Sequence, residues 1–370
     1  MNVKQSNFFL RFFAGMIANL LLLGMANSSD ILFHEKVAEQ AIIYRVSSEG
    51  TNLKKIGHGL FPQWSPDGEY ISYVESFESA DSPIMKAFVV IKSIGKEVFR
   101  IDAREDMTSI LLYSWNPTSK GIALVTVFGR YEGSILYYDI KTKQIKKLHR
   151  FGFEDLDMTF ITTSLEWTPD GKHLLFSSWG LLPKELGMIQ INVDTGIVKN
   201  LSDKGRLPRF IEGKVLFTIG TEIWTVNLDG SDKKKIYDTG MPIISLSRAV
   251  NNRIILQMES RDLDMKIPFK LYLLNFDKNI INLNEIKPKN YLLLCPNISI
   301  DGKKFTAIGM KLKNKEGQLA SEEEEELGYY IFDIGTEKVT LLKKFEDSNK
   351  DERFLWGIYG GYGNYTSWGR

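Results

Sequence analysis

Short apolar runs separated by turn-forming residues recur along the whole chain, and no long stretch carries the 3.6-residue period of an amphipathic helix. Residues 70–74, 122–128, 173–176 and 304–310 each follow a turn and read as strands. Further β-branched and aromatic runs at 86–92, 97–101, 135–139, 188–193, 214–218, 222–227, 253–258, 270–275 and 328–333 predict more of the same. The pattern is that of an all-β chain built from hairpins.

A motif punctuates it. Trp64-Ser65-Pro66-Asp67-Gly68 returns as Trp167-Thr168-Pro169-Asp170-Gly171 and, degraded, as Trp115-Asn116-Pro117-Thr118-Ser119-Lys120-Gly121. Asn297-Ile298-Ser299-Ile300-Asp301-Gly302 is a fainter echo. Asp-Gly supplies a turn whose glycine tolerates positive φ, so each copy closes a hairpin. A Trp ending the first strand is too large for a lone hairpin to bury, which implies a neighbouring unit to pack against. With weaker anchors near Phe210, Val250, Ile298 and Trp356, the spacing matches the roughly 40–50 residues of a four-stranded propeller blade.

These repeats resemble those of the TolB-like β-propeller family, whose W-[ST]-P-D-G hairpin is followed by a strand of the type seen at 42–50 and 222–230. The resemblance covers the chain from about Ile42 onward and leaves no room for the N-terminal α/β domain of TolB. It implies a β-propeller, and the seven anchors, with the two chain ends together amounting to one repeat, give seven blades of four antiparallel strands. A six-bladed ring is the alternative, because the anchors at Phe210 and Val250 lack the motif. The last blade is expected to be closed by both termini: inner strands from 354–359 and 364–368, outer ones from 41–46 and 53–56. Such sharing removes the free edges of an open array.

Connector lengths are uneven. Turns join first to second and third to fourth strands, whereas longer segments are expected at 75–85, 178–187, 259–269 and 311–327 and between blades at 103–111, 149–163 and 284–293. In a propeller those two longer classes open on one end, where binding usually resides.

Composition narrows the function. Of 370 residues, 43% are hydrophobic and 25% charged, which argues against global disorder. A formal charge of +1 gives no field for nucleic acid. The one cysteine, Cys295, excludes an intrachain disulfide and multi-Cys metal sites, and its apolar surroundings predict a core thiol. Lys4 and Arg11 precede an apolar stretch ending at Gly24-Met25-Ala26, so residues 1–26 read as a signal peptide and 27–370 as a single propeller domain. An uncleaved anchor is the lesser alternative. The expected location is periplasmic or extracellular.

Candidate chemistry is sparse. His34, His58, His149 and His173 show no short metal spacing, and His58 and His149 are expected just after fourth strands. No G-x-S-x-G elbow and no nucleotide-binding glycine pattern occurs, so no cofactor or metal is assigned. Glu322 to Glu326 and the cluster Lys141, Lys143, Lys146, Lys147, His149 and Arg150 read as solvated charge. On the loop-rich end, Arg130, Tyr131, Trp179, Arg261 and Asp262 are the candidate binding residues, since aromatic and Arg side chains combine area with polar reach. Pro66, Asp67, Gly68, Pro117, Pro169, Asp170, Gly171, Asp301 and Gly302, with the three Trp, are assigned structural roles. The expected function is a binding module for a protein or peptide in the cell envelope. The alternative is a metal-assisted lyase or hydrolase acting on a saccharide or other polar polymer.

Overall fold

The computed structural model describes residues 30–37, 40–79, 82–92, 96–102, 109–128, 132–152, 162–179, 187–259, 269–278, 280–311, 327–345 and 366–368. They form seven four-stranded antiparallel sheets arranged in a ring, an all-β seven-bladed propeller. Blade 1 is Leu60–Trp64, Tyr70–Ser79, Ser82–Lys92 and Glu97–Asp102. Blade 2 is Ser109–Trp115, Gly121–Phe128, Glu132–Asp139 and Ile145–Gly152. Blade 3 is Thr162–Trp167, His173–Trp179, Met188–Asn192 and Val198–Ser202. Blade 4 is Arg206–Ile211, Lys214–Ile219, Glu222–Asn227 and Lys234–Asp238. Blade 5 is Ile243–Leu246, Arg253–Glu259, Phe269–Asp277 and Ile280–Ile286. Blade 6 is Tyr291–Ile298, Lys304–Lys311, Gly328–Asp333 and Val339–Lys344.

Blade 7 is closed by both termini, but in a different share from the one expected. The N-terminal part supplies three strands, Ile31–Val37, Gln40–Val46 and Lys54–His58, and the C-terminal part adds Thr366–Trp368 against Ile31–Phe33. Ile31–Val37 escapes pattern reading because Ile31, Leu32 and Phe33 are all buried and show no alternation. The segment 354–359, expected as an inner strand, lies outside the described residues.

Each sheet is covered by a neighbour on both faces, and this explains the continuous apolar runs. Seven apolar clusters occur among the described residues, one at each blade interface. Successive side chains of a strand point to opposite faces, so they enter different clusters. Phe88 and Val90 pack between blades 1 and 2, while Ala87, Val89 and Ile91 pack between blades 7 and 1. Ile254, Leu256 and Met258 face blade 4, and Ile255 faces blade 6. Fourth strands are the exposed ones, and their lysines, such as Lys54, Lys55, Lys234 and Lys235, discourage edge pairing.

Two expected loops are strands. Residues 75–79 and 82–85 continue the ladder of blade 1, with Phe77 opposite Ile84 beyond a bulge at Glu75/Ser76. The segment 284–293 is mostly strand as well, leaving 287–290 as the connection. His58 and His149 likewise lie within the fourth strands of blades 7 and 2, not after them. In each case backbone pairing runs past the end of the apolar run that marks the strand in sequence. No helix among the described residues is long and apolar enough to cross a membrane.

Candidate functional site

The repeated turns are built alike. Ser65 Oγ donates to Asp67 Oδ1 (2.5 Å), which accepts from Glu69 N (3.0 Å), while Ser65 Oγ accepts from Tyr70 N (2.9 Å). Thr168 and Asp170 repeat the set at 2.6, 3.0 and 3.1 Å, and Ser299 and Asp301 at 2.6, 3.0 and 2.9 Å. Gly68, Gly171 and Gly302 take φ of 77°, 68° and 72° there. In the degraded copy Ser119, not Gly121, holds this left-handed place (φ 58°), and the roles reverse: Thr118, at the aspartate's place, donates through N and Oγ1 to Asn116 Oδ1 at 3.0 and 2.6 Å. Pro66, Pro117 and Pro169 occupy the turns' first corner, where a fixed φ and no N–H cost nothing.

The turns also join one another. Asp67 N donates to Ser119 Oγ (3.1 Å), and Asn116 Nδ2 to Gly171 O (2.9 Å). Lys146 Nζ reaches Val193 O and Asp194 O at 2.7 and 2.6 Å, so this member of the lysine cluster bridges blades 2 and 3. One end of the ring is therefore a sheet of short, mutually bonded turns.

Thr168 bonded to Asp170, with Lys172 N behind it, holds that carboxyl below the usual range. A depressed folded value means stability that is present above the unfolded value and lost as pH falls through the folded one. Thermal midpoints should therefore drop below about pH 4, and Asp170→Asn should cost about 1 kcal/mol at pH 7 while flattening its share of that drop. A midpoint series from pH 7 to pH 3 on both proteins checks this; an identical acid slope for the two would count against it.

The three Trp bind backwards around the ring. Trp64 Nε1 donates to Asp30 O of blade 7 (3.1 Å), Trp115 Nε1 to Ser72 Oγ of blade 1 (2.8 Å) and Trp167 Nε1 to Ser114 O of blade 2 (3.2 Å).

The residue before each Trp position faces the other way, as the pleat requires. On the first strands this position holds Gln63, Ser114, Glu166, Arg209 and Asn297, opposite Ser72, Ala123, Leu175, Leu216 and Thr306. In blade 5 the position holds Ser245, opposite Gln257, and Arg248 joins the belt from just past the strand, two residues before the Val250–Arg253 bridge. These side chains form a polar belt on the innermost strands. Gln63 Nε2 donates to Tyr113 O (3.0 Å) of blade 2. Arg209 Nε donates to Ser247 O (2.6 Å), Nη2 to Leu246 O, and Nη1 to Ser164 Oγ (3.1 Å), spanning blades 3 to 5. Arg248 Nε and Nη2 donate to Ile298 O (3.1 and 3.0 Å) of blade 6. An innermost strand leaves one edge of carbonyls without a strand partner, and the belt supplies donors to them.

Three belt positions follow a bulge that pattern reading overlooks. Phe61, Leu207 and Cys295 have φ of 54°, 51° and 53°, each directly before Pro62, Pro208 and Pro296 and each inside a register shift. Proline cannot donate to a ladder and marks a bulge, which re-aims the next side chain, here Gln63, Arg209 and Asn297. The recurring apolar-Pro-polar-apolar string is the signal that finds them. Cys295 is half-buried against the cluster between blades 6 and 7, and desolvation there pushes its ionisation up to about 12.

Electrostatically the belt is uneven. Burial raises the Glu166 carboxyl, with Arg209 and Arg248 opposing, and lowers both guanidiniums, Arg248 to about 10. The four histidines are dispersed over three blades, and among the described residues no three His, Cys, Asp or Glu side chains converge to hold a metal.

Of the candidate binding residues, Arg130, Tyr131, Arg261 and Asp262 lie outside the described residues, as do Glu322 to Glu326. Trp179 ends the second strand of blade 3, opposite Thr162. Residues 129–131 and 260–268 join second to third strands, the connection class that also follows Trp179.

No protein-family model matches the chain, and no curated protein matches it. Solved structures do share its fold. A prolyl endopeptidase is 14% identical, over 85% of this chain and 48% of that one, with a TM-score of 0.59. The β-propeller domain of the Trilobed protease from Pyrococcus furiosus is 10% identical, over 86% and 95%, at 0.58. TolB from Acinetobacter baumannii is 17% identical, over 94% and 69%, at 0.49, too loose a likeness to carry argument. The chain spans about half the length of the prolyl endopeptidase it matches. Identities this low define a β-propeller and nothing narrower.

Proposed function

We propose that this chain is an exported, TolB-like binding module that recognises a protein or peptide in the cell envelope through the end of the ring opposite the repeated turns. One observation carries the reading: every connector of eight or more residues belongs to one end, although short links such as 220–221 share it. First-to-second connections are tight turns bonded to each other. Residues 103–108, 129–131, 153–161, 180–186, 260–268, 312–326 and 346–365 all belong to the two connection classes of the opposite end. A rigid ring with long, varied connectors on one end is a scaffold for recognition. Export rests on residues 1–26, and the family reading on the W-[ST]-P-D-G repeats. The lyase or hydrolase alternative has no converging ligand set among the described residues to favour it.

Photo-crosslinking from Trp179 and Arg261 in intact envelopes tests the proposal, with Gly213 and Thr195 on the turn-bearing end as controls. A discrete protein adduct from the first pair only is the expected result. No adduct, or equal adducts from both ends, would refute it.

A further inference from the structure

We infer that the belt holds a carboxylate-binding site between blades 3, 4 and 5, near the turn-bearing end and independent of any partner at the other end. Ser164 and Glu166 lie two apart on one strand and so share a face, and Arg209 Nη1 bonds Ser164 Oγ from the next blade. Arg209 also bonds the carbonyls that lead directly into Arg248. Its three nitrogens thus all serve the scaffold.

Arg248 differs. Its Nε and Nη2 both go to Ile298 O, and among the described residues its Nη1 carries no protein bond. Glu166 feels the charges of both arginines, yet among the described residues it makes no hydrogen bond and no close ion pair. Arg209 thus ties the strand face of Glu166 to the carbonyls that precede Arg248, and Glu166 and Arg248 interact through charge without a bond of their own. Glu166, Arg209 and Arg248 each keep partial solvent contact.

Two guanidiniums against one carboxylate leave a net positive charge in a poorly solvated place. A guanidinium edge with paired donors matches a carboxylate. The two arginines oppose the burial that raises the Glu166 carboxyl, and Glu166 acts as their placeholder anion: it offsets them when the site is empty and repels a second carboxylate when it is filled. Removing its charge should therefore improve binding, the opposite of what a structural glutamate would show.

Calorimetry with three blocked tripeptides tests this: acetyl-Gly-Gly-Gly with a free C-terminus, its C-terminal amide, and acetyl-Gly-Glu-Gly amide. One or both of the acidic probes should bind at least about tenfold more tightly than the neutral amide. Whichever does so tells a terminal carboxylate from a side chain. Glu166→Gln should tighten that binding about five- to tenfold, and Arg248→Leu should abolish it. Should Arg248→Leu fail to fold, Glu166→Gln alone decides. Equal binding of the neutral amide, or Glu166→Gln leaving affinity unchanged or weaker, overturns the inference. The probes are too short to report on an envelope partner, so the crosslinking result stands separately.

Discussion

Lys343→Met is expected to lower stability by about 3–5 kcal/mol at pH 7. Lys343 Nζ lies 2.6 Å from Glu35 Oε2, and the Glu35 side chain is wholly buried. The pair joins the fourth strand of blade 6 to blade 7, beside the hydrogen bond from Tyr329 OH to His34 O (2.7 Å) and with the ammonium 5.2 Å from the Tyr44 ring. Removing the lysine takes this cation from a wholly buried carboxylate, which costs far more than the pair itself contributes. Glu35→Leu alone should be damaging for the converse reason. The double variant Glu35→Leu with Lys343→Met should recover most of the loss, because neither charge then needs solvation. Urea unfolding of the four proteins gives the answer. A double variant as unstable as the worse single would show that the pair is not the source.

Trp167→Ala should cost a similar amount, about 3–5 kcal/mol. The indole is 5% exposed and belongs to the cluster between blades 2 and 3, against Ala123, Val125 and Phe176. Its ring meets Tyr137 edge-on, with centroids 5.9 Å apart, and its N–H goes to Ser114 O. Truncation empties a large volume that four-stranded sheets on both sides cannot collapse to fill. Trp167→Phe keeps most of that volume and loses the bond, so about 1–2 kcal/mol is expected. Denaturant midpoints separate the two, and equal losses for Ala and Phe would mean that the hydrogen bond, not the packing, dominates.

The ring was legible because its punctuation is local. Trp64, Asp67 and Gly68 announce a turn and an interface within five residues, and hydrogen bonds from each Trp to the preceding blade realise the packing that their size implies. Blades 4 and 5 were recoverable from strand spacing, since Glu212-Gly213 and Asn251-Asn252 make the same turn with positive φ at both residues. The belt was not legible as a unit. Its members are of four different chemical kinds, spread over blades, and only the register that puts Glu166 opposite Leu175 and Arg209 opposite Leu216 aligns them. The closing blade was misread for a related reason: Ile31–Val37 is buried on both faces and abuts the apolar N-terminal stretch, so nothing in its pattern separates the two. The bulges were available in principle, because a proline inside a strand is a local signal, but its meaning depends on which strand faces the axis.

The whole account depends on one closed ring in which the C-terminal strand completes a sheet begun at the N-terminus. Deleting residues 366–370 and following amide hydrogen exchange tests that directly. With the strand at Thr366–Trp368 gone, the amides of Ile31, Leu32 and Phe33 should exchange much faster and the cooperative unfolding midpoint should fall. Unchanged protection at those amides together with an unchanged midpoint would contradict the closed ring.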